Sequence, residues 1–192
     1  MEDRVPEGDD RTRWVCTSCD YIHYENPRTV TGTIVEEAGK VLLCRRAIEP
    51  KRGLWTIPAG FLEVGESTVE GAIRETLEEA EASVRVTSPH AYLDIPHISQ
   101  IYAVFHAEMI EPHHGPGVES LETRFFEFDE IPWSEISFPI VAFALRLYLE
   151  DRSLGVRRVH LGTLNWDGEG SRYDESRYAL NGHLAVPITQ ES

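Results

Sequence analysis

The stretch Gly60–Ala82, GFLEVGESTVEGAIRETLEEAEA, decides how this chain is read. A glycine turn runs into a helix that begins at Ser67, where Ser67 and Glu70 have capping-box spacing. Val69, Ala72, Ile73, Thr76, Leu77 and Ala80 recur at intervals of three and four, the face expected to pack on a sheet. Glu75 and Glu79 stand one turn apart with Glu78 beside them, so their carboxylates can converge on one point. A helix C-terminus carries partial negative charge and favours Lys or Arg, yet Glu78, Glu79 and Glu81 crowd that end. A local rule broken this way points to an offsetting group outside the helix, and a hard divalent cation such as Mg²⁺ needs such an oxygen cluster. On charge alone, a Glu-rich helix is more often a solvated face. The spacing to residues upstream decides between the two.

Composition bounds the rest. With 192 residues, one main domain with a full core is expected. Thirty-three acidic residues against 18 basic give a net charge of −15, which argues against general nucleic-acid binding through phosphates. An anionic substrate must find a local exception. No long apolar run or leader-like start is visible, so a soluble protein without a membrane partner is expected. Cys16, Cys19 and Cys44 are too few for a disulfide framework and suggest a reducing compartment.

Three parts separate along the chain. In residues 1–26, Cys16 and Cys19 have the spacing of half a zinc site. A remnant or truncated zinc ribbon, a redox pair and two structural cysteines are the competing readings. A complete four-ligand zinc site is not expected, since no second Cys pair exists. Residues 27–152 alternate as a compact α/β domain with a mixed sheet. Arg28–Glu37 and Lys40–Arg46 read as strands joined by a hairpin at Ala38-Gly39, with Cys44 facing the core. Ala91–Ile95, Gln100–Glu108 and Thr123–Asp129 read as further strands, and Pro139–Glu150 as a second helix. Residues 153–192 are polar and read as an extension, with one short strand over Arg158–Trp166 and loop over Asp167–Glu175.

Gly60, Glu66, Arg74-Glu75 and Glu78-Glu79 at these offsets resemble the signature of the Nudix hydrolases. The approaches Leu42–Arg46 and Leu54–Gly60 are similar to the family as well. The resemblance implies the Nudix fold, an α/β/α sandwich with a mixed sheet, and hydrolysis of a diphosphate linked to another moiety with Mg²⁺ or Mn²⁺. It makes Glu75, Glu79 and the Gly60 carbonyl metal ligands, Glu78 a ligand or base, and Glu66 a supporting carboxylate of that metal set. Arg74 orients the glutamates. It is the only cation between Glu63 and Glu81, and its planar fork can hold a carboxylate bidentately. The family glycine near the helix end is Glu81 here, so a modified cap is expected, since a left-handed conformation costs roughly 1 kcal/mol or more at a non-glycine residue.

Glu119 and Glu122 lie where the family's catalytic loop carboxylate falls, Glu119 being the first choice. Arg45, Arg46, Lys51 and Arg52 gather four of the 18 basic residues within eight positions and can steer substrate phosphates, with Lys51 and Arg52 equally readable as loop charges. Trp55, Tyr92 and Tyr102 can stack on a substrate ring, although aromatics at strand positions are more often core. The flanks Leu93–Gln100 and His160–Asn165, with the half-ribbon, are similar to a plastid branch that hydrolyses FAD and ADP-ribose. The Ser-Gln-Pro-Trp-Pro-Phe-Pro motif of the NADH branch is absent. FAD is therefore expected first, then ADP-ribose or NADH, in a plastid if plant-like and otherwise in the cytoplasm. The arm ahead of the domain suggests a homodimer. A non-catalytic binding module would lose a helix glutamate, and an isoprenoid diphosphate isomerase would need a Cys and Glu pair that Cys44 is poorly placed to supply.

Overall fold

Alternate residues of the central strands point to opposite faces of one mixed sheet, and a helix covers each face. In the computed structural model, which describes residues 1–188, β1 (Glu2–Arg4), β2 (Arg13–Val15) and β3 (Ile22–His23) form a small antiparallel sheet. The main sheet runs β10 (Ser120–Glu127), β5 (Lys40–Arg46), β4 (Arg28–Glu37), β9 (Gln100–Met109), β8 (Val84–Ile95), β11 (Arg158–Trp166), β12 (Tyr178–Pro187). Two short strands lie off this path, β6 (Trp55–Thr56) on β5 and β7 (Ala59–Phe61) on β4. The β4–β9 and β8–β11 pairs are parallel and the others antiparallel. The helices are α1 (Thr68–Ala80) and α2 (Pro139–Leu154). No helix among the described residues is long and apolar enough to cross a membrane.

The two core layers follow from period-two alternation. Ile34, Val41 and Leu43 join Val141, Leu145 and Tyr148 of α2, while Val35, Leu42 and Cys44 join Ala80 and Ala82 at the end of α1. This is the expected α/β/α sandwich. Ala38 and Gly39, both with positive φ of 50° and 82°, make the tight turn between β4 and β5. Burial pushes the Cys44 thiol up, so it stays protonated. β8 reaches back to Val84, further than the apolar run Ala91–Ile95 suggests, because two register shifts near Ser88 and Pro89 interrupt its alternation.

The residues after 152 do more than extend the domain. β11 pairs in parallel with β8, Leu164 is fully buried in the α2-side layer, and β12 supplies a second strand that sequence pattern did not indicate. Residues 189–192, the end of the expected extension, lie outside the described residues. A buried polar network joins this edge to α2. Asp151 accepts from the Arg158 backbone N–H at 2.9 Å and from Arg158 Nε at 2.5 Å, and lies 3.1 Å from His160 Nε2. His90 lies against the same network with its Nε2 2.9 Å from the Ala144 carbonyl. Its ring, with those of His106 and His160, is held below the ordinary histidine range by burial. Asp151, already matched by a guanidinium, holds these elements together as an ion pair rather than offering free charge to a cation.

α1 begins with the expected capping box: Glu70 N–H donates to Ser67 Oγ at 3.2 Å and Ser67 N–H to Glu70 Oε2 at 2.8 Å. Its buried face differs from the expected one. Ala72, Thr76 and Ala80 pack inward together with Glu75 and Glu79, whereas Val69 and Leu77 are 37% and 51% exposed. The helix is rolled so that two carboxylates, rather than two aliphatics, meet the sheet. Thr76 Oγ1 fixes that roll 2.7 Å from Thr33 Oγ1. The helix end also departs from expectation. Glu81 adopts the left-handed conformation itself, φ 48° and ψ 26°, with its N–H bonded to the Leu77 carbonyl. Glu81→Gly removes that strain and a negative charge at the negative helix end, and should raise stability by up to about 1 kcal/mol. Thermal unfolding checks this: a melting temperature a few degrees higher is expected, and a lower one would contradict it.

Candidate active site

Arg74 organises the carboxylates, and every one of its N–H donors is used. Nε and Nη2 grip Glu66 at 3.0 and 2.7 Å, Nη1 donates to Glu75 Oε1 at 2.8 Å and Glu78 Oε2 at 3.1 Å, and Nη2 also reaches the Phe61 carbonyl at 3.1 Å. Glu66 additionally accepts the Glu63 N–H at 2.7 Å. The Arg74 guanidinium beside it holds the Glu66 carboxyl well below its usual range, at about 2. Glu66 is thus committed to fastening the loop before α1 onto the helix.

The remaining carboxylates face a cleft of about 950 Å³ that Glu75, Glu78, Glu79, Glu119 and Gly60 help to line. Glu75 lies across the α-carbon of Gly60, where a Cβ would displace its carboxylate, so glycine here lets Glu75 keep this position. Glu79 is 6% exposed and accepts the Ala59 N–H at 3.0 Å. Burial pushes its carboxyl up to about 8, with the Glu75 and Glu119 charges adding to the effect. Burial raises Glu75 as well, against the pull of Arg74. Arg46, in the same cleft, is the nearby cation that opposes the rise at Glu79.

This donor set is all oxygen, two of its carboxyls are buried and raised by that burial, only Glu75 of the two having an ion-pair partner, and it holds neither Cys nor His. Those features fit Mg²⁺ or Mn²⁺. Glu75, Glu78 and Glu79, with the Gly60 backbone beside them, are the groups that would hold such an ion.

The loop after β9 explains how a helix ends in glutamates without a cation. No basic residue occupies the last turn of α1. Instead Gly115 N–H caps the Ala80 carbonyl at 2.8 Å and Gly117 N–H the Glu79 carbonyl at 3.2 Å. Gly117 presses so close that a Cβ there would overlap the Glu78 carbonyl oxygen. This backbone-to-backbone seat carries Glu119 into the cleft. Glu122, by contrast, reaches Arg45 at 3.7 Å and does not line the cleft.

The basic and aromatic candidates divide. Arg46 lines the cleft over the Phe138 ring. Arg45 is spent on the Gly53 carbonyl at 2.8 Å and on Glu122, and exposed Arg52 lies outside the cleft lining. Trp55, expected to contact substrate, is 5% exposed and packed edge-on against Phe126 in the core, because its strand position turns it inward. Tyr102 does line the cleft. Arg28 and Arg172 line it too, and neither was singled out by sequence; a lone arginine at a strand start or in a polar tail gives no signal before the chain folds.

In the arm, Cys16 and Cys19 occupy one turn, closed by the Cys16 N–H to Tyr21 carbonyl bond at 2.8 Å. Hydrogen bonds centred on Ser18 lower the Cys16 thiol to about 6, as suits a metal-binding knuckle. Two sulfurs remain two short of a tetrahedral set, and among the described residues no further ligand group gathers around them.

Residues 25–144 match the NUDIX domain model, and residues 1–25 match the Nudix N-terminal zinc-ribbon model. The chain belongs to the Nudix hydrolase family. A Nudix hydrolase of Nitrosomonas europaea is 48% identical, with a TM-score of 0.83 over 85% of this chain and 93% of that one. An ADP-ribose pyrophosphatase of Methanocaldococcus jannaschii is 30% identical over 118 residues, 58% of this chain and 69% of the relative. A mitochondrial NAD(P)H pyrophosphatase of Mus musculus is 31% identical over 134 residues, 69% of this chain but 36% of the relative. An NAD-capped RNA hydrolase of Stutzerimonas stutzeri is 30% identical over 139 residues, 71% of this chain and 50% of that protein.

The two glycines of the capping loop give a contrast in this Nudix hydrolase. At Gly115 an added Cβ meets only the movable Glu81 carboxylate at 2.9 Å, whereas at Gly117 it meets backbone. Gly115→Ala should be nearly silent. Gly117→Ala should cost about 1–3 kcal/mol and displace Glu119. Equal effects of the two substitutions on melting temperature would refute the seat described for Gly117.

Proposed function

We propose that this protein is a Mg²⁺- or Mn²⁺-dependent pyrophosphatase that cleaves a diphosphate joining AMP to a second moiety, with ADP-ribose as first substrate. One observation carries the reading: the cleft combines Glu75, Glu78, Glu79 and Glu119 with three guanidinium groups, Arg28, Arg46 and Arg172, that form no ion pair among the described residues. In a chain of net charge −15, these supply the local exception an anionic dinucleotide needs.

A bound divalent cation supplies charge neutralisation at the phosphates and acidifies a coordinated water. The protein's part is to position. Arg46 and Arg28 hold phosphate oxygens, Arg74 fixes Glu75 and Glu78, and Glu119 takes the proton from the water that attacks phosphorus. The oxygen from that water ends on one phosphate product, the bridging oxygen leaves on the other, and no covalent enzyme intermediate forms. Glu119 suits the base role because it carries no ion pair among the described residues, whereas Glu78 is tied to Arg74. For ADP-ribose the products are AMP and ribose 5-phosphate.

ADP-ribose stands before NADH and FAD because the named relatives act on ADP-ribose and NAD(P)H. The flanking resemblance keeps FAD in the panel. A homodimer through the arm is supported by Trp14, Tyr21 and Tyr24, which are 49%, 61% and 56% exposed on it. A solution mass equal to one chain would count against that assembly.

The test incubates purified protein and Mg²⁺ with ADP-ribose, NADH and FAD and follows AMP. Turnover highest on ADP-ribose is expected, and none on any of the three would sink the proposal. Glu119→Gln should lower kcat by about 10²–10⁴ while Mg²⁺ affinity stays within a few-fold.

A further inference from the structure

The loop between β11 and β12 enters the active-site cleft, and it belongs to the part of the chain that follows the matched NUDIX domain. Arg172, Tyr173 and Tyr178 line the cleft alongside His97 and Phe138. The loop is fastened at several points. Glu175 binds Arg146 of α2 at 2.7 and 3.3 Å, and Arg177 binds Asp167 at 3.2 Å across the loop. Tyr178 Oη donates to the Arg172 carbonyl at 2.7 Å and lies 3.1 Å from His97 Nε2. Tyr173 packs near Phe138, and Lys51 sits 4.4 Å over its ring.

These ties hold the backbone of Arg172 while leaving its charge unspent. The one side-chain partner of its guanidinium among the described residues is the Tyr173 hydroxyl, at 3.1 Å. Arg146 and Arg177 of the same region are both paired with carboxylates. A cation pinned by its neighbours over a cleft, with no carboxylate of its own, is organised for an anion that arrives from outside.

We propose that Arg172 is a substrate-binding residue contributed by the C-terminal segment, where it holds a phosphate oxygen of the dinucleotide on the side of the cleft away from the α1 carboxylates, with Tyr173 fixing the guanidinium. The assignment rests on the pyrophosphatase reading. It makes the tail loop a determinant of substrate affinity that the NUDIX domain alone does not carry. Because no hydrogen bond or ion pair among the described residues ties Arg172 to α1 or Glu119, it acts on KM and leaves the chemical step alone.

The experiment compares wild type, Arg172→Ala and Arg172→Lys in turnover of ADP-ribose, NADH and FAD with Mg²⁺, and in calorimetric binding of the same three nucleotides with Ca²⁺ in place of Mg²⁺. Expected is a KM raised tenfold or more in Arg172→Ala with kcat within about twofold, and partial recovery in Arg172→Lys, which keeps the charge but not the fork. An unchanged KM in Arg172→Ala overturns this assignment and leaves the pyrophosphatase reading standing. If wild type binds a nucleotide without cleaving it, weaker binding by Arg172→Ala upholds the assignment while the pyrophosphatase reading falls. If wild type binds none of the three, both fall.

Discussion

Five carboxylates, Glu66, Glu75, Glu78, Glu79 and Glu119, crowd around α1, three of them held by a single saturated guanidinium, and most of the architecture serves that crowding. Arg74 gives its five donors to three glutamates and the Phe61 carbonyl, so it fixes geometry without cancelling the charge. The consequences run outward. Gly60 must lack a side chain so that Glu75 can lie against the turn, α1 must roll until Glu75 and Glu79 face the sheet, and Gly117 must bring bare backbone to the helix end. Each of these is a local sacrifice of stability. A Glu in the left-handed conformation at the helix terminus and two buried acids, one of them paired with Arg74, are what the site costs the fold, and in the proposed function a divalent cation would offset them.

Much of this was legible in the amino-acid sequence because it is periodic or local. The offsets from Gly60 to Glu79 announce the carboxylate cluster, and the capping box at Ser67 fixes where α1 starts. The β4 and β5 boundaries follow from apolar runs with a turn between them. What was not legible depends on packing. Val69 and Leu77 satisfy the helical apolar pattern, yet they face solvent because the chemistry required the adjacent stripe. Trp55 and Arg45 sit beside the motif in sequence, but strand alternation and a pairing with Glu122 turn them away from the cleft. Arg28 and Arg172 are 144 positions apart in the chain, and only the sheet, by placing β4 and the β11–β12 loop around one cleft, brings them together.

The C-terminal edge shows the same division. Asn181, Gly182 and His183 interrupt the apolar residues of β12 and most of that strand is exposed, so pattern alone reads this edge as tail. Tertiary pairing with β8 and the buried Asp151–Arg158–His160 network make it part of the sheet. The arm keeps a turn with two cysteines, of which Cys16 has a lowered thiol, within a sequence that matches the family's N-terminal ribbon.

If the buried carboxyls of α1 are completed by a divalent cation, the cation must displace a proton, and proton release tests this most directly. In the metal-free protein Glu79, raised to about 8 by burial, holds a proton at pH 7 that the unfolded chain, near its ordinary 4.5, has already lost. The native state therefore binds more protons than the unfolded one between those values, and metal-free stability falls as pH rises through that window. A dication requires the carboxylate, so its binding must expel the proton. Calorimetric titration of the metal-free protein with Mg²⁺, in buffers of different ionisation enthalpy, counts it. Close to one proton released per Mg²⁺ at pH 7, fading above pH 9, is predicted; binding without proton release at pH 7, or no binding at all, would contradict the account.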